Sequence, residues 1–350
     1  MLVLLVLLVL LLSLTSLTYS YRTIIHSNNN NRYDKLYMNK GFGKPVSSSF
    51  KYVGKLKPGV RGPKRIVDPT IMRPDYAETG KPIAKDKGQQ WEIIVQTPDD
   101  IERMRKAGKI AREVLDAAVR FVKPGITTDD IDRIVHEETV KRNAYPSPLN
   151  YHGYPKSCCT SINEVICHGI PDSTIVNDGD IINVDVTIYY DGVHGDCSET
   201  ILVGNVDPKL KDLVVTTYTA WKAAINHCKP GVKYNEIGGI IEDIVSAKGY
   251  TTVKEFCGHG VGRIFHAMPN VLHYKNNIRS GVMAPGHTFT IEPMICLGSP
   301  KPFYWPDEWT VTTSDGLATA QFEHTLLITE TGVEELTGKL STSPKYSWEQ

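Results

Sequence analysis

The sequence predicts an α+β domain made of two related halves, because two stretches of chain recur at nearly the same distance. The sequence Lys-Pro-Gly, which is expected to end a helix, occurs at residues 123–125 and again at residues 229–231, 106 residues later. The stretch from Gly179 to Asp185 returns as Gly286 to Glu292, 107 residues later. In both copies a turn glycine precedes a strand that ends in a carboxylate. Lys-Pro-Gly alone is common after helices, but two near-equal offsets favour a pseudo-two-fold domain with a site between its halves.

Each half is expected to contain two helices and several strands, and the first helix shows the pattern. Thr97 is a good N-cap, Pro98 suits the first turn, and the acids Asp99 and Asp100 favour the positive helix end. Apolar side chains then recur at helical spacing, at Ile101, Met104, Ala107, Ile110, Ala111 and Leu115. The helix is expected to stop near Lys123, where Pro and Gly follow.

The chain divides into a leader, an extension, a catalytic region and a tail. Residues 1–20 carry an unbroken Leu and Val run of 11, too short to span a bilayer and typical of a signal peptide. Residues 21–50 are basic, rich in Ser and Asn and poor in acids, which indicates a disordered, transit-like segment. Residues 51–95 are expected to be an extended linker, residues 96–340 the catalytic domain, and residues 341–350 a tail.

A signal followed by a transit-like segment predicts a plastid wrapped by extra membranes, with the mitochondrion or the cytoplasm as alternatives. An uncleaved anchor and an ordinary disordered tail are the competing interpretations of these two segments.

Composition limits the classes of partner and of site. Lys and Arg together number 39, as do Asp and Glu, so no basic field indicates a DNA partner. The seven cysteines are odd in number and contain no Cys-x-x-Cys, which predicts neither a disulfide framework nor a zinc knuckle. A contact with the ribosome could use basic linker residues, although a solvated linker is the simpler interpretation. These residues are Lys51, Lys55, Lys57, Arg61, Lys64 and Arg65.

Two aspartates on a predicted hairpin give the first chemical signal. Residues 181–190 are typical of a strand, Asp191-Gly192 of a hairpin turn, and residues 193–203 of the returning strand. Asp185 and Asp196 then lie within about two positions of facing each other, and facing like charges destabilise a hairpin. A divalent cation would remove that problem, whereas either aspartate alone could simply be solvated at an edge.

Two glutamates and one histidine complete a candidate metal site. Glu292 and Glu323 lie in apolar, strand-like sequences, although glutamate is almost never fully buried unless paired. His259 lies among glycines, which allow close backbone approach; a lone histidine would more often be a core residue. With Asp185 and Asp196 the set has four carboxylates and one imidazole. Such sets suit Co, Mn, Fe or Zn in a two-metal hydrolytic site, where the ions lower the pKa of a shared water.

Eight short motifs follow one another along the catalytic region. They are Tyr151 to Ser157, Ser161 to Pro171, Asn183 to Thr187, Gly195-Asp196, Cys257 to Arg263, Phe265-His266, Ile291 to Met294 and Phe322 to Thr325. The ordered set resembles the type I methionine aminopeptidases over roughly residues 96–340. The resemblance implies the pita-bread (creatinase/aminopeptidase) fold, an antiparallel sheet with helices on the outside. It also implies removal of the initiator methionine from new proteins with a free N-terminus, preferably before a small second residue.

The resemblance further implies how the ligands divide. Asp185 and Asp196 would bind one metal, and His259, Glu292 and Glu323 the other, with Asp196 and Glu323 bridging. A hydroxide between the metals would attack the first peptide carbonyl while Glu292 relays protons.

Two histidines and a pocket are implied in the same way. His266 would polarise the carbonyl and stabilise the oxyanion, and His168 would assist the leaving amine. Asn163 and Val165 match a weaker family site for a monovalent cation. The methionine pocket would be formed by His168 and His266 with Tyr151, Tyr154, Cys159, Phe265 and Trp309.

Two alternatives stay open at this point. One is another pita-bread hydrolase, an X-Pro aminopeptidase or prolidase, which usually carries a substantial N-terminal domain. The other is a non-catalytic pita-bread binding protein, which would be expected to lack metal ligands.

An organellar type I enzyme fits the N-terminal region. The chain shows no Cys/His-rich zinc module, yet residues 73–77 resemble the linker of the cytosolic eukaryotic type I enzymes. Chains made in an organelle begin with formyl-methionine, so a peptide deformylase would have to act first. The protein is expected to be a monomer.

Overall fold

The computed structural model of the protein describes residues 50–83 and 92–349. Its longer helices are α1 (Pro98–Phe121), α2 (Thr128–Lys141), α3 (Pro208–His227) and α4 (Tyr234–Ser246). The expected signal peptide and nearly all of the transit-like segment lie outside the described residues. In the part of the chain that the structure describes, none of the helices has the length and apolar character that a membrane crossing requires.

The strands form one large sheet and two small ones. They are β1 (Tyr145–Pro146), β2 (Cys159–Ile162), β3 (Val165–Cys167), β4 (Ile181–Tyr190), β5 (Val193–Leu202), β6 (Thr251–Thr252), β7 (Gly258–Gly260), β8 (Ala267–Val271), β9 (Thr288–Ile291), β10 (Met294–Cys296), β11 (Pro302–Tyr304), β12 (Val311–Thr313), β13 (Thr319–Gln321), β14 (Glu323–Ile328) and β15 (Val333–Glu335). The large sheet has the order β1-β4-β5-β14-β9-β7-β8, with β2 beside β4 and β15 beside β14. All pairings described are antiparallel, which confirms the predicted α+β fold.

The two halves repeat at the level of single hydrogen bonds. The Gly125 N–H donates to the Val176 carbonyl at 2.8 Å, and the Gly231 N–H donates to the Met283 carbonyl at 2.9 Å. Both glycines have a left-handed backbone, with φ of 90° and 89°, which glycine adopts at little steric cost. Isolated antiparallel bridges repeat the match, Thr127 with Ile175 and Lys233 with Val282. The predicted pseudo-two-fold arrangement is therefore confirmed.

Side chains along β4 point alternately to the hydrophobic core and to the candidate site. Val184, Val186 and Ile188 are fully buried in a cluster that includes Leu115 of α1. Successive strand residues point to opposite faces of a sheet, so Asp185 faces away from α1. Helix α1 thus packs on one face of the hairpin and leaves the other face for the candidate ligands.

The described segments on either side of the catalytic domain, residues 50–83 and 341–349, pack onto it. The backbone N–H groups of Lys55 and Leu56 donate to Glu164 Oε1 at 2.6 and 2.8 Å. At the other end, Tyr346 is buried and its ring centroid lies 4.7 Å from that of Tyr218. The residues expected to be a linker and a tail are therefore tied to the domain where the structure describes them.

Two of the basic linker residues form salt bridges with acidic residues. Arg61 pairs with Asp307 at 3.3 Å, and Arg65 pairs with Asp132 at 2.8 Å. An RNA contact by this segment would therefore depend on its lysines.

Candidate active site

The β4–β5 hairpin brings Asp185 and Asp196 onto one face. In its register Asp185 lies opposite Ser198, and Thr187 lies opposite Asp196, which is the two-position offset that the sequence predicts. The Thr187 hydroxyl donates to Asp196 Oδ1 at 2.6 Å. The Thr325 hydroxyl accepts the Asp196 N–H at 3.0 Å and donates to its carbonyl at 2.8 Å. Asp196 is thus fixed from both neighbouring strands.

The second half brings His259, Glu292 and Glu323 to the same place. His259 Nε2 lies 3.6 Å from Asp196 Oδ2 and 3.5 Å from Glu292 Oε1. Ligand atoms of Asp196, His259 and Glu323 all lie within 4.8 Å of one another. His259 Nδ1 contacts the Gly260 carbonyl at 3.1 Å, so Nε2 is the nitrogen that faces the carboxylates.

Burial makes this site unfavourable for bare charges. It raises the pKa of Asp185 to about 7, although that residue keeps some accessible surface. Burial, followed by the charge of Asp185, raises the pKa of Asp196 well above its usual range. Burial, followed by the charge of Asp196, does the same to the pKa of Glu292 and of Glu323. Burial lowers the pKa of His259 to about 4, so its imidazole is neutral at pH 7.

The donor set therefore fits divalent metal ions. Each of the four carboxylates disfavours ionisation of the others, and cations bound among them would remove that penalty. A neutral imidazole with one nitrogen directed at the same point is the metal-binding form of histidine.

His266 lies beside the ligands and is oriented by Tyr151. Its Nδ1 is 2.9 Å from the Tyr151 hydroxyl, and its ring centroid is 4.2 Å from that of His259. Burial, followed by the neighbouring His259, lowers the pKa of His266 well below its usual range, and burial raises the pKa of Tyr151. Both groups are therefore neutral at pH 7. If Tyr151 donates to Nδ1, the proton of His266 is on Nε2, where it can be donated to a substrate oxygen.

His168 lies on the aromatic side of the site. Its backbone is left-handed, with φ of 57°, a conformation that is uncommon for residues other than glycine. Its ring packs edge-on against Phe256 at 5.5 Å and against Trp309 at 6.1 Å between centroids.

The residues predicted for the methionine pocket pack in two groups, each of which would form one wall. Tyr154 and Cys159 pack with Ile170 and Trp309, and the rings of Tyr154 and Trp309 are 5.0 Å apart. Cys159 lies directly opposite Asp185 across β2 and β4, which joins this wall to a predicted metal ligand. The other wall is formed by Tyr151, Phe265 and His266, with ring centroids 4.8 Å apart for Tyr151 and Phe265 and 4.2 Å apart for Phe265 and His266.

Asn163 and Val165 lie away from the carboxylates, around the turn between β2 and β3. The Asn163 carbonyl accepts the Thr319 N–H at 2.8 Å, and its side-chain oxygen accepts the Ile181 N–H at 3.0 Å. Val165 begins β3. The monovalent cation assigned to this pair stays a prediction.

Several supporting residues are absent from the sequence-based set. Thr187, Thr290 and Thr325 each lie two residues from a predicted metal ligand, so strand alternation could have identified them. Thr290 donates to Glu292 Oε1 at 2.8 Å. His273 Nε2 accepts the Glu292 N–H at 3.1 Å, and no pattern in the sequence indicates that contact.

The fold and the carboxylate-rich site together define a metallopeptidase. The model of metallopeptidase family M24 matches residues 102–330, and use of divalent metal ions follows from membership of that family.

Individual relatives narrow the assignment. Methionine aminopeptidase 1A of Arabidopsis thaliana is 52% identical over 306 residues, which are 87% of this chain and 77% of the plant protein. Methionine aminopeptidase 1 of Dictyostelium discoideum is 49% identical over 314 residues, 88% of this chain and 86% of that protein. The crystal structure of methionine aminopeptidase from Rickettsia prowazekii gives a TM-score of 0.69 at 43% identity, covering 71% of this chain and 100% of that one. Within family M24, the chain belongs to the type I methionine aminopeptidases.

This assignment confirms the resemblance and the pita-bread fold that it implied. The X-Pro alternative is not favoured, because relatives at about half identity over most of the chain are methionine aminopeptidases.

Proposed function

We propose that this chain removes the initiator methionine from new proteins with two divalent metal ions held between its halves. Asp185 and Asp196 would hold one ion, and His259, Glu292 and Glu323 the other, with Asp196 and Glu323 shared. The observation that carries the proposal is the convergence of both halves on one point. Ligand atoms of Asp196, His259 and Glu323 lie within 4.8 Å of one another, in surroundings that oppose bare charge.

Co, Mn, Fe and Zn all fit the donor set, and metal availability decides among them. When bound, the ions supply an activated water near neutral pH and positive charge for the free α-amine and the scissile carbonyl.

Glu292 is the group of this chain that would accept and return a proton. Thr290 fixes Oε1 with a 2.8 Å hydrogen bond, which orients this carboxyl group for proton transfer. His266 would donate a hydrogen bond from Nε2 to the carbonyl oxygen as negative charge develops there. His168 would hydrogen-bond the scissile amide and then the leaving amine. These three residues divide proton transfer, oxyanion stabilisation and leaving-group assistance.

The pocket walls suit a methionine side chain. Tyr154, Cys159 and Trp309 offer aromatic edges and a sulfur, and thioethers make favourable contacts of this kind with aromatic rings. Burial raises the pKa of Cys159 well above its usual range, so this wall presents a neutral thiol. A small second residue is expected to be preferred, because a large one would crowd the ligands and His168.

Release of methionine from Met-Ala-Ser tests the proposal. The full chain would be freed of metal and then titrated with Mn, Co, Fe or Zn, and release should rise with about two equivalents of ion. Full activity after only one equivalent of a metal ion has been added would contradict a two-ion site. Turnover of X-Pro peptides in place of Met-Ala-Ser would contradict the substrate assignment.

The compartment is a separate proposal. We infer a plastid-type organelle from the composition of residues 1–20 and 21–50. A fluorescent reporter fused to residues 1–60 should enter that organelle; a cytosolic or mitochondrial reporter would select the corresponding alternative. In a plastid, a deformylase must act first, because a formylated amine cannot donate its lone pair to a metal. Measurable activity on formyl-Met-Ala-Ser would contradict this dependence.

We further propose that the enzyme acts as a monomer on nascent polypeptides and that its linker lysines are the groups available for a ribosome contact. Co-sedimentation of the purified chain with ribosomes at low and high salt tests that contact, since a contact through lysines weakens as salt rises.

A further inference from the structure

The N-terminal extension reaches the wall of the pocket through Tyr76. This side chain is 2% exposed, and its hydroxyl donates to the Ser147 carbonyl at 2.8 Å. Its ring packs edge-on against Tyr151, with centroids 4.9 Å apart. One residue later, the Ala77 carbonyl accepts a hydrogen bond from Asn150 Nδ2 at 2.9 Å. The extension therefore holds the segment that carries Tyr151 from two points.

Tyr151 is the residue through which Tyr76 can act on the reaction. The Tyr151 hydroxyl contacts His266 Nδ1 at 2.9 Å, and its ring lies 4.8 Å from that of Phe265. A shift of Tyr151 would therefore move both a pocket wall and the partner that orients His266. Misplacement of such a wall by about 1 Å can cost a large factor in rate.

The extension also contacts the turn that carries Trp309 of the other wall. Arg61 pairs with Asp307 at 3.3 Å. Asp307 Oδ1 accepts the backbone N–H groups of Trp309 at 2.9 Å and of Thr310 at 2.8 Å, which fixes the turn that presents Trp309. An extension residue is thus linked to each of the two walls, Tyr76 directly to Tyr151 and Arg61 through Asp307 to Trp309.

A third contact lies behind Cys159. Arg65 donates to Asp132 Oδ2 at 2.8 Å, and Asp132 Oδ1 accepts the Ser157 N–H at 2.6 Å. Ser157 is two residues before Cys159 in the chain.

We propose that the extension is a positioning element of the enzyme. In this proposal Tyr76 holds Tyr151, and through it His266, in position, while Arg61 holds the turn that carries Trp309. This inference rests on the proposed function and adds a determinant of methionine selectivity that lies outside residues 102–330, the span of the family match. None of the extension residues touches a predicted metal ligand in the contacts described. Their effect therefore falls on the fit of the substrate side chain and not on metal binding.

The decisive comparison uses three variants of the full chain. Tyr76→Leu removes the ring contact with Tyr151, whereas Tyr76→Phe keeps the ring and loses only the hydrogen bond to Ser147. Ile71→Ala is the matched control, because Ile71 is 5% exposed in the same extension and packs with Val67, Tyr145 and Leu149. It should lower stability while keeping the ring contact between Tyr76 and Tyr151.

The measurements are kcat and KM for Met-Ala-Ser and for the same peptide beginning with norleucine or leucine. Tyr76→Leu should lower kcat/KM for the methionine peptide about tenfold and narrow the preference for methionine over leucine. Tyr76→Phe should stay within about threefold of the parent chain on both measures. The dissociation constant of free methionine, measured by calorimetry, should rise in Tyr76→Leu by a factor similar to the loss in kcat/KM.

Two results would overturn the inference. One is an unchanged methionine preference in folded Tyr76→Leu. The other is an equal loss of preference in Ile71→Ala, which would make the role of the extension purely structural. The parent chain separates this inference from the proposed function: if it releases no methionine with any metal, the proposed function fails. In that case the methionine dissociation constants of the three variants still decide the role of Tyr76.

Discussion

The two halves of the domain share a backbone plan but carry different ligands. The glycine turns match closely, since Gly125 and Gly231 have nearly equal φ and make equivalent hydrogen bonds. Asp185 and Glu292 also occupy matching positions, each six residues after a turn glycine. The strands differ in how they continue, because Asp185 lies in the middle of β4, whereas Glu292 follows the last residue of β9. The repeat therefore specifies the framework and one carboxylate position in each half, and the halves differ in residue type and in how the strand continues.

Neither half contains a complete ligand set. The first supplies Asp185 and Asp196, and the second supplies the single imidazole, His259, with two glutamates. Strand β14 joins them, because Glu323 pairs with Ser198 of β5 while the next residue pairs with Ile291 of β9. A metal site in this fold thus requires both halves to be docked.

The largest expected effect tests the shared ligand. Asp196→Asn should lower kcat for Met-Ala-Ser roughly a thousandfold, because it removes one charge from a position that both ions would share. Asp191→Asn is the matched control: it makes the same change at the turn of the same hairpin, where the side chain is 49% exposed. Retention of more than a tenth of the activity in Asp196→Asn would break the view that the halves share this ligand.

The next effect tests cooperation between a donor from the second half and an orienting group from the first. His266→Ala should lower kcat about a hundredfold with a smaller change in KM, because the donor to the developing oxyanion is lost. Tyr151→Phe should cost about tenfold, since the ring stays and only the hydrogen bond to Nδ1 disappears. His227→Ala, at a partly exposed histidine at the end of α3, should leave both constants unchanged. Equal losses in His227→Ala and His266→Ala would contradict the assignment.

Metal binding should release protons in a pH-dependent way. Burial raises the pKa of Asp185 to about 7 in the metal-free protein, so this carboxyl carries a proton at pH 6 that a cation must displace and has lost most of that proton by pH 8. His259, with its pKa lowered to about 4, is already unprotonated there and contributes none. Calorimetric titration in buffers of different ionisation enthalpy should show more protons released at pH 6 than at pH 8, and weaker binding at pH 6. Equal release at the two pH values would contradict burial as the cause.

The smallest effect sharpens the comparison of the two frameworks. Gly125→Ala and Gly231→Ala each place a side chain in a left-handed backbone, although neither added Cβ meets an atom within 4 Å. Each should lower the free energy of unfolding by about 1–2 kcal/mol, and the two values should agree within about 0.5 kcal/mol. Gly332→Ala, which has open space and no positive φ, is the control for replacing a glycine. Urea unfolding of the metal-loaded protein measures all three, and clearly unequal losses would mean that the two turns are not equivalent.

Most of the framework could be predicted because its signals are local or periodic. Thr97 caps α1 and accepts the Asp100 N–H, as the sequence predicts, and the Asp191-Gly192 turn closes the expected hairpin. The 106- and 107-residue offsets predicted equivalent turns, which the structure contains.

The contacts around the ligands were less accessible to sequence reasoning. Carboxylates in strand-like sequences indicated the ligands themselves, but the partner of a side chain depends on which strands become neighbours. Thr325 supports Asp196 from 129 residues away, and His273 supports Glu292 from 19 residues away. Tyr76 lies in a segment whose Pro, Gly and basic composition indicated only a linker, so its burial against Tyr151 could not be inferred from the local pattern.

If a leader is removed from this chain, the docked extension would limit how far the N-terminus can be trimmed. The first contacts it makes with Glu164 come from Lys55 and Leu56, and the contacts behind the pocket begin at Arg61. Phe50 and Tyr52 already pack against Phe303 and Trp305, so a cut before Phe50 would leave every described contact of the extension in place. A cut after Tyr76 would remove the residues proposed to position the pocket. On that proposal, substrate selectivity would depend on where a leader is removed.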